Sequence, residues 1–124
     1  MRIDLWSKPG ALLFLCLLAF TGCGGNPAAP EGNPAWLTML IRQLEAEPPA
    51  NPSGLIARYE FRGKPVYYVP ARCCDIWSTV YQGDGTVLCH PDGGFGGRGD
   101  GQCPTFLAER SNEHIVWRDP RAAP

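Results

Sequence analysis

The fold class predicted for this 124-residue chain is α+β, with one N-terminal amphipathic helix packed on a small antiparallel sheet of four to five strands, disulfide-stapled. Three observations predict it. Apolar residues recur at helical spacing over 36–44, the period changes to two from residue 55, and four cysteines gather in the second half of the chain. A helix with one apolar stripe and a sheet with one apolar face each need cover, and each supplies it to the other.

The chain opens on Arg2 and Lys8 against Asp4, and then comes an unbroken apolar run over 11–20. A bilayer-spanning helix needs about 20 apolar residues, so this run reads as the h-region of a cleaved signal, with Cys16 an apolar member of it. It ends in Ala19-Phe20-Thr21-Gly22-Cys23, similar to the lipobox of bacterial lipoproteins although Phe20 stands where leucine is usual. Residues 1–22 are therefore expected to be a lipoprotein signal peptide and Cys23 the lipid-bearing N-terminus, palmitate included. Plain secretion, cut near Gly24-Gly25, is the alternative. Residues 23–32 carry no hydrophobic periodicity and read as a flexible tether. Gly24 is not the Asp that retains many lipoproteins in the inner membrane. The expected address is the cell envelope on the extracytoplasmic side, outer membrane or periplasm, with the lipid bilayer as partner through Cys23.

Residues 33–121 amount to one domain's worth of chain, with a short tail at 122–124. Without Arg2 and Lys8 the eleven basic residues become nine, and without Asp4 the twelve acidic ones become eleven. With no basic excess or block, nucleic acid is excluded as a partner. No second apolar run and no internal repeat exists.

Asn33 is a good N-cap and Pro34 suits the first helical position, so a helix is expected from there to Glu47. Leu37, Leu40, Ile41 and Leu44, joined by Trp36, form its stripe, and Pro48-Pro49 stops it. Over 55–61, Leu55, Ala57, Tyr59 and Phe61 alternate with Ile56, Arg58 and Glu60, the pattern of a half-buried strand. Arg62-Gly63-Lys64 turns into a second β-rich run over 66–69. A third strand over 76–81, a turn at Gln82-Gly83-Asp84-Gly85 and a fourth strand over 86–89 make a second hairpin. Residues 90–104 hold six glycines and no alternation, so they are expected to be an irregular loop. A helical turn over 105–110 and a short strand over 115–117 complete the domain.

Cys73, Cys74, Cys89 and Cys103 are an even set in an exported domain, which implies disulfides. A Cys73-Cys74 bond would close a strained ring. Neighbours on an extended chain point to opposite sides, so two long-range bonds to Cys89 and Cys103 are expected, with either pairing open. A four-cysteine zinc site is the competing reading, but adjacent cysteines do not readily turn both sulfurs onto one ion. A thioredoxin-type role lacks C-x-x-C.

The glycine segment costs folding entropy unless its special dihedrals are used. Its structural reading is a loop whose aspartates cap their own turns. Its functional reading is a binding loop built on His90, Asp92, Gly93, Gly94, Arg98 and Asp100. As a Ca²⁺ site using Asp92 and Asp100 it meets neither the EF-hand nor the nonapeptide template. No metal and no cofactor is expected. Candidate catalytic groups are His90, His114, Asp75, Asp92, Asp100, Ser78 and Ser111, without a G-x-S-x-G elbow or an H-E-x-x-H pair, so no catalytic residue is assigned.

Pro34-Ala35-Trp36-Leu37, Tyr67-Tyr68-Val69-Pro70, Cys73-Cys74-Asp75, Cys89-His90-Pro91-Asp92-Gly93-Gly94, Gly99-Asp100-Gly101-Gln102-Cys103 and Trp117-Arg118-Asp119-Pro120-Arg121 together resemble an uncharacterised domain family of small bacterial lipoproteins and secreted proteins. The resemblance covers 33–121. It implies one exported domain with the same four-cysteine framework, and it implies no activity. Three functional expectations stand: a non-enzymatic envelope module that binds a protein, peptide or glycan; a metal-dependent or hydrolytic enzyme using His90, Asp92 and Asp100; and an inhibitor-like loop for a protease.

Overall fold

The computed structural model describes residues 32–73 and 75–121. The expectations for the signal peptide, Cys23, the tether before Gly32, Cys74 and the tail fall outside the described residues. The chain runs α1 (Ala35–Ala46), β1 (Leu55–Phe61), β2 (Lys64–Val69), β3 (Thr79–Gln82), β4 (Val87–Cys89), α2 (Phe106–Glu109) and β5 (Ser111–Arg118). All pairings are antiparallel, in the order β4-β3-β2-β1-β5.

The period-two alternation of β1 and β2 sorts their side chains onto two faces. On one, Ala57, Tyr59, Phe61, Val66, Tyr68, Val80 and Cys89 pack beneath Cys103 and Phe106. Leu88 leans on the same cluster. On the other, Leu37 and Leu44 of α1 close on Ile56, flanked by Trp36, Leu40, Ile41, Tyr67, Val69, Val116 and Trp117. Each face therefore carries its own packed cluster. Ile56, which alternation places in the outward row with Arg58 and Glu60, is fully buried because α1 lies over it. Each fully buried large side chain, Phe106, Leu37, Ile56 and Val80, contributes about 1.5–3 kcal/mol by leaving water.

Several boundaries move. Pro34, not Asn33, is the N-cap of α1, and no side chain caps it. The Pro34 carbonyl instead accepts from Leu37 N and Thr38 N, both at 3.0 Å. The third strand begins at Thr79 rather than 76, because the backbone of 76–78 is taken by the glycine segment. Gly94 N donates to Ile76 O at 3.2 Å and Ser78 N to Asp92 O at 3.1 Å. The last strand starts at Ser111, four residues before the expected 115, since its register along β1 is set from Leu55↔Arg118 to Glu60↔Ser111. Among the described residues no helix is long and apolar enough to cross a membrane.

Candidate functional site

The glycine segment is tied at its base by a disulfide between Cys89 and Cys103, whose Cα atoms lie 6.0 Å apart. Cys89 ends β4 facing the lower core, and the loop returns Cys103 onto that same face, so the two are 1 % and 3 % exposed. This corrects the expected long-range pairing of Cys89 and Cys103 with Cys73 and Cys74. The loop's own closure brings the first two together, while Cys73 sits exposed in the β2–β3 connection. Cys73 is also disulfide-bonded. The zinc reading loses two of its four sulfurs to the Cys89–Cys103 bond.

Within the loop Asp92, Asp100 and His90 each have structural partners. Ser78, 1 % exposed, donates to Asp92 Oδ1 and accepts from Ala71 N at 2.9 Å. Tyr68 Oη donates to Asp92 Oδ2 at 2.8 Å. Burial, reinforced by the Asp92 acceptor, pushes the Tyr68 hydroxyl above its ordinary pKa, so it stays a donor. Asp100 works elsewhere: Oδ2 accepts from His90 N at 3.0 Å and Oδ1 from Gln102 N at 2.9 Å. Asp100 N closes the circuit on His90 O at 2.9 Å. His90 Nδ1 lies 3.0 Å from Ser78 O and 3.3 Å from Thr79 Oγ1, and its ring stacks on Trp77 with centroids 4.7 Å apart.

The backbone is equally committed. Gly93 bridges Trp77 on one side and Arg98 on the other. Gly99 takes φ +64°, and a Cβ there would stand 1.8 Å from the His90 carbonyl oxygen. A Cβ on Gly94 would stand 1.9 Å from Trp77 Nε1, so only glycine lets the indole lie over the loop. The special dihedrals noted in the sequence are in use, and the segment is a clamped structure.

The structure thus separates the residues that sequence order brought together. Asp92 serves Ser78 and Tyr68, Asp100 serves two backbone amides, and His90 serves a carbonyl and a threonine hydroxyl. Asp92 and His90 meet different atoms of Ser78, its hydroxyl and its carbonyl, and no group of three His, Cys, Asp or Glu able to hold a metal exists among the described residues. Ser78 has its proton committed to Asp92, and both residues are tied further into the structure, Ser78 by Ala71 N and Asp92 by Tyr68. Asp75, Ser111 and His114 are exposed and lie outside this network. Arg98 presents its side chain to solvent.

What the loop does offer is apolar. Phe95 is 99 % exposed at the tip of a turn in which Gly97 N donates to Gly94 O at 3.0 Å. The bridge from Trp77 to Gly93 places Ile76 and Trp77, both about half-exposed, at the foot of that turn. The chemistry-bearing residues that sequence reasoning missed are Phe95, Trp77, Tyr68 and Arg110. Arg110 lies over the Tyr59, Tyr68 and Phe106 rings at 4.6, 5.1 and 5.7 Å, and desolvated contacts of this kind reach about 2 kcal/mol. Nothing in the local sequence around Arg110 announces an aromatic enclosure drawn from three elements. A glycine on each side of Phe95 is the one local signal that could have found it.

No curated protein and no solved structure matches the chain. A family model does, over more than half its length, from within α1 through the whole of the sheet and the clamped loop. The chain belongs to the family described as a domain of unknown function (DUF6970), matched over residues 42–119.

Proposed function

We propose that the protein is a lipoprotein of the bacterial cell envelope, cleaved before Cys23 and lipidated there, whose clamped loop docks a partner protein without doing chemistry. The observation that carries the reading is the division of labour in the loop. Its acids and its histidine are all engaged internally, while Phe95, on a turn that cannot relax, is 99 % exposed. An exposed aromatic on a rigid support loses little conformational freedom on binding, which is how anchor residues concentrate binding energy. The disulfide at the loop's base suits an oxidising compartment. The lipobox-like Thr21-Gly22-Cys23 supports the anchor.

The hydrolytic or metal-dependent reading finds no support in side chains that point to separate partners. The inhibitor-like reading needs an extended, substrate-like strand, and a tight turn spans Phe95 instead.

The test is site-specific photo-crosslinking in the cells that make the protein, with the probe at Phe95 and, as a control, at exposed Gly83. One discrete adduct from position 95, absent from position 83 and lost when Gly99→Val disrupts the loop, is expected. Equal labelling from both positions, or none from 95, would sink the docking reading. Intact mass before and after reduction reports the acyl chains and the disulfides.

A further inference from the structure

The helix α1 covers only part of its sheet face. Ile56, Val69, Val116 and Trp117 lie under it, but further along β1 the face is open over Arg58. Arg58 is registered opposite Tyr67 on β2 and His114 on β5, so a phenol, a guanidinium and an imidazole form one row across three adjacent strands. With Asn33 and Val116 they line a groove of about 540 Å³. Every polar side chain lining it carries a donor: the guanidinium N–H groups, a ring N–H in either protonation state of the imidazole, the phenol and the amide. None of these side chains makes a hydrogen bond or ion pair among the described residues. Among the described residues no carboxylate lines the groove. Neighbouring acids among the described residues are occupied: Glu60 by Asn112 Nδ2 at 2.7 Å, Glu113 by Tyr59 on the opposite face, and Asp84 by Thr86 N and Oγ1 at 2.9 and 2.7 Å.

A groove of unengaged donors with no acid selects an anion, and the planar fork of Arg58 suits phosphate or carboxylate. The position of the chain chooses between sources. Gly32 lines this same groove, nine residues after Cys23, and nine extended residues span at most about 30 Å. The proposed anchor therefore holds the groove within that distance of a bilayer surface. We infer that the groove binds the phosphate of an anionic phospholipid headgroup in the membrane that carries the anchor, Arg58 as its main ligand and His114, Tyr67 and Asn33 as further donors. The inference rests on the lipoprotein reading above.

The test uses the full chain as purified, in nanodiscs of phosphatidylcholine alone and of phosphatidylcholine with phosphatidylglycerol, each carrying a headgroup spin label. Paramagnetic broadening is read at the His114 ring and the Arg58 side chain. Broadening confined to the anionic discs and reduced roughly tenfold in apparent affinity by Arg58→Gln is expected, as for the loss of one charge-assisted contact. Arg58→Gln sits on an exposed position, and an unchanged thermal melt confirms that it folds. Equal broadening in both discs, or none in either, overturns the inference. So does saturation of the same signals by inorganic phosphate as tightly as by the anionic discs, which would identify a free anion as the ligand. If the intact mass shows no acyl chain, the lipoprotein reading fails by itself. Flotation of that same chain with phosphatidylglycerol vesicles, sensitive or insensitive to Arg58→Gln, then decides the groove.

Discussion

Arg121 closes on Asp119 through two parallel contacts, Nε to Oδ1 at 2.8 Å and Nη2 to Oδ2 at 2.7 Å. The same guanidinium reaches the carbonyls of Leu44, Glu45 and Glu47 at 3.3, 2.8 and 3.1 Å, where α1 ends without a basic residue of its own. One cation thus satisfies carbonyls at a helix C-terminus and neutralises a carboxylate that is 3 % exposed, pinning the end of β5 to α1.

The pairing sets an acid limit on stability. The Arg121 hydrogen bonds hold the Asp119 carboxyl down to about 2, below its ordinary 3.8. A depressed pKa means the unfolded chain takes up the proton first. The stabilisation is therefore complete above about pH 4 and lost as pH falls from there through about 2. Urea midpoints measured across this window should fall in the wild type and fall less in Asp119→Asn. An unchanged slope in the variant would remove Asp119 from the account.

The Cys89–Cys103 bond predicts a second, separable loss. Closing a loop of this length stabilises by about 3 kcal/mol in the chain-entropy model, so replacing both cysteines with alanine should lower the unfolding free energy by roughly that amount. Because both sulfurs are buried, reduction of the native protein should track its unfolding rate, read by thiol alkylation against time. Reduction much faster than global unfolding would mean that the loop opens by itself.

An alkaline limit comes from Tyr59. Burial first, then the hydrogen bond to Glu113, pushes its hydroxyl up to about 12 from 10.0. With the folded value raised, the unfolded chain loses the proton first, and the contribution present below pH 10 is lost between pH 10 and 12. Ultraviolet titration should show one tyrosine ionising last in the folded protein, absent in Tyr59→Phe, and Glu113→Gln should bring that step to lower pH.

How much of the molecule was legible depends on whether a feature is made by neighbours or by distant chain. The strand over 55–61 and the turn after it are local, set by period-two alternation and by Arg62-Gly63, and they stand where the residues place them. Whether a second face is covered is not local, which is why Ile56 looks outward on paper and is buried in the fold. Cysteine pairing was illegible for the same reason: the return path of the loop over β4, not the spacing, decides that Cys89 meets Cys103. At the site, residue type singles out His90, Asp92 and Asp100. The partners of Asp92, Ser78 and Tyr68, come from 14 and 24 residues away, so the sequence order that suggests a catalytic cluster misreads three separate struts.

The clamp itself is open to a paired test that separates backbone strain from steric contact. Gly99 and Gly97 have nearly equal positive φ, +64° and +68°, yet a Cβ on Gly99 would lie 1.8 Å from the His90 carbonyl while one on Gly97 meets nothing within 4 Å. Alanine at either site carries the left-handed penalty of roughly 1 kcal/mol. Only Gly99→Ala must also push the 90–92 backbone away, breaking the Asp100 N to His90 O bond, and it should cost at least about 2 kcal/mol more. Denaturant unfolding of the two variants gives the difference, and amide exchange at Asp100 locates it. Equal losses at the two positions would show that the loop yields locally around a methyl group, and the rigid presentation of Phe95 would lose its basis.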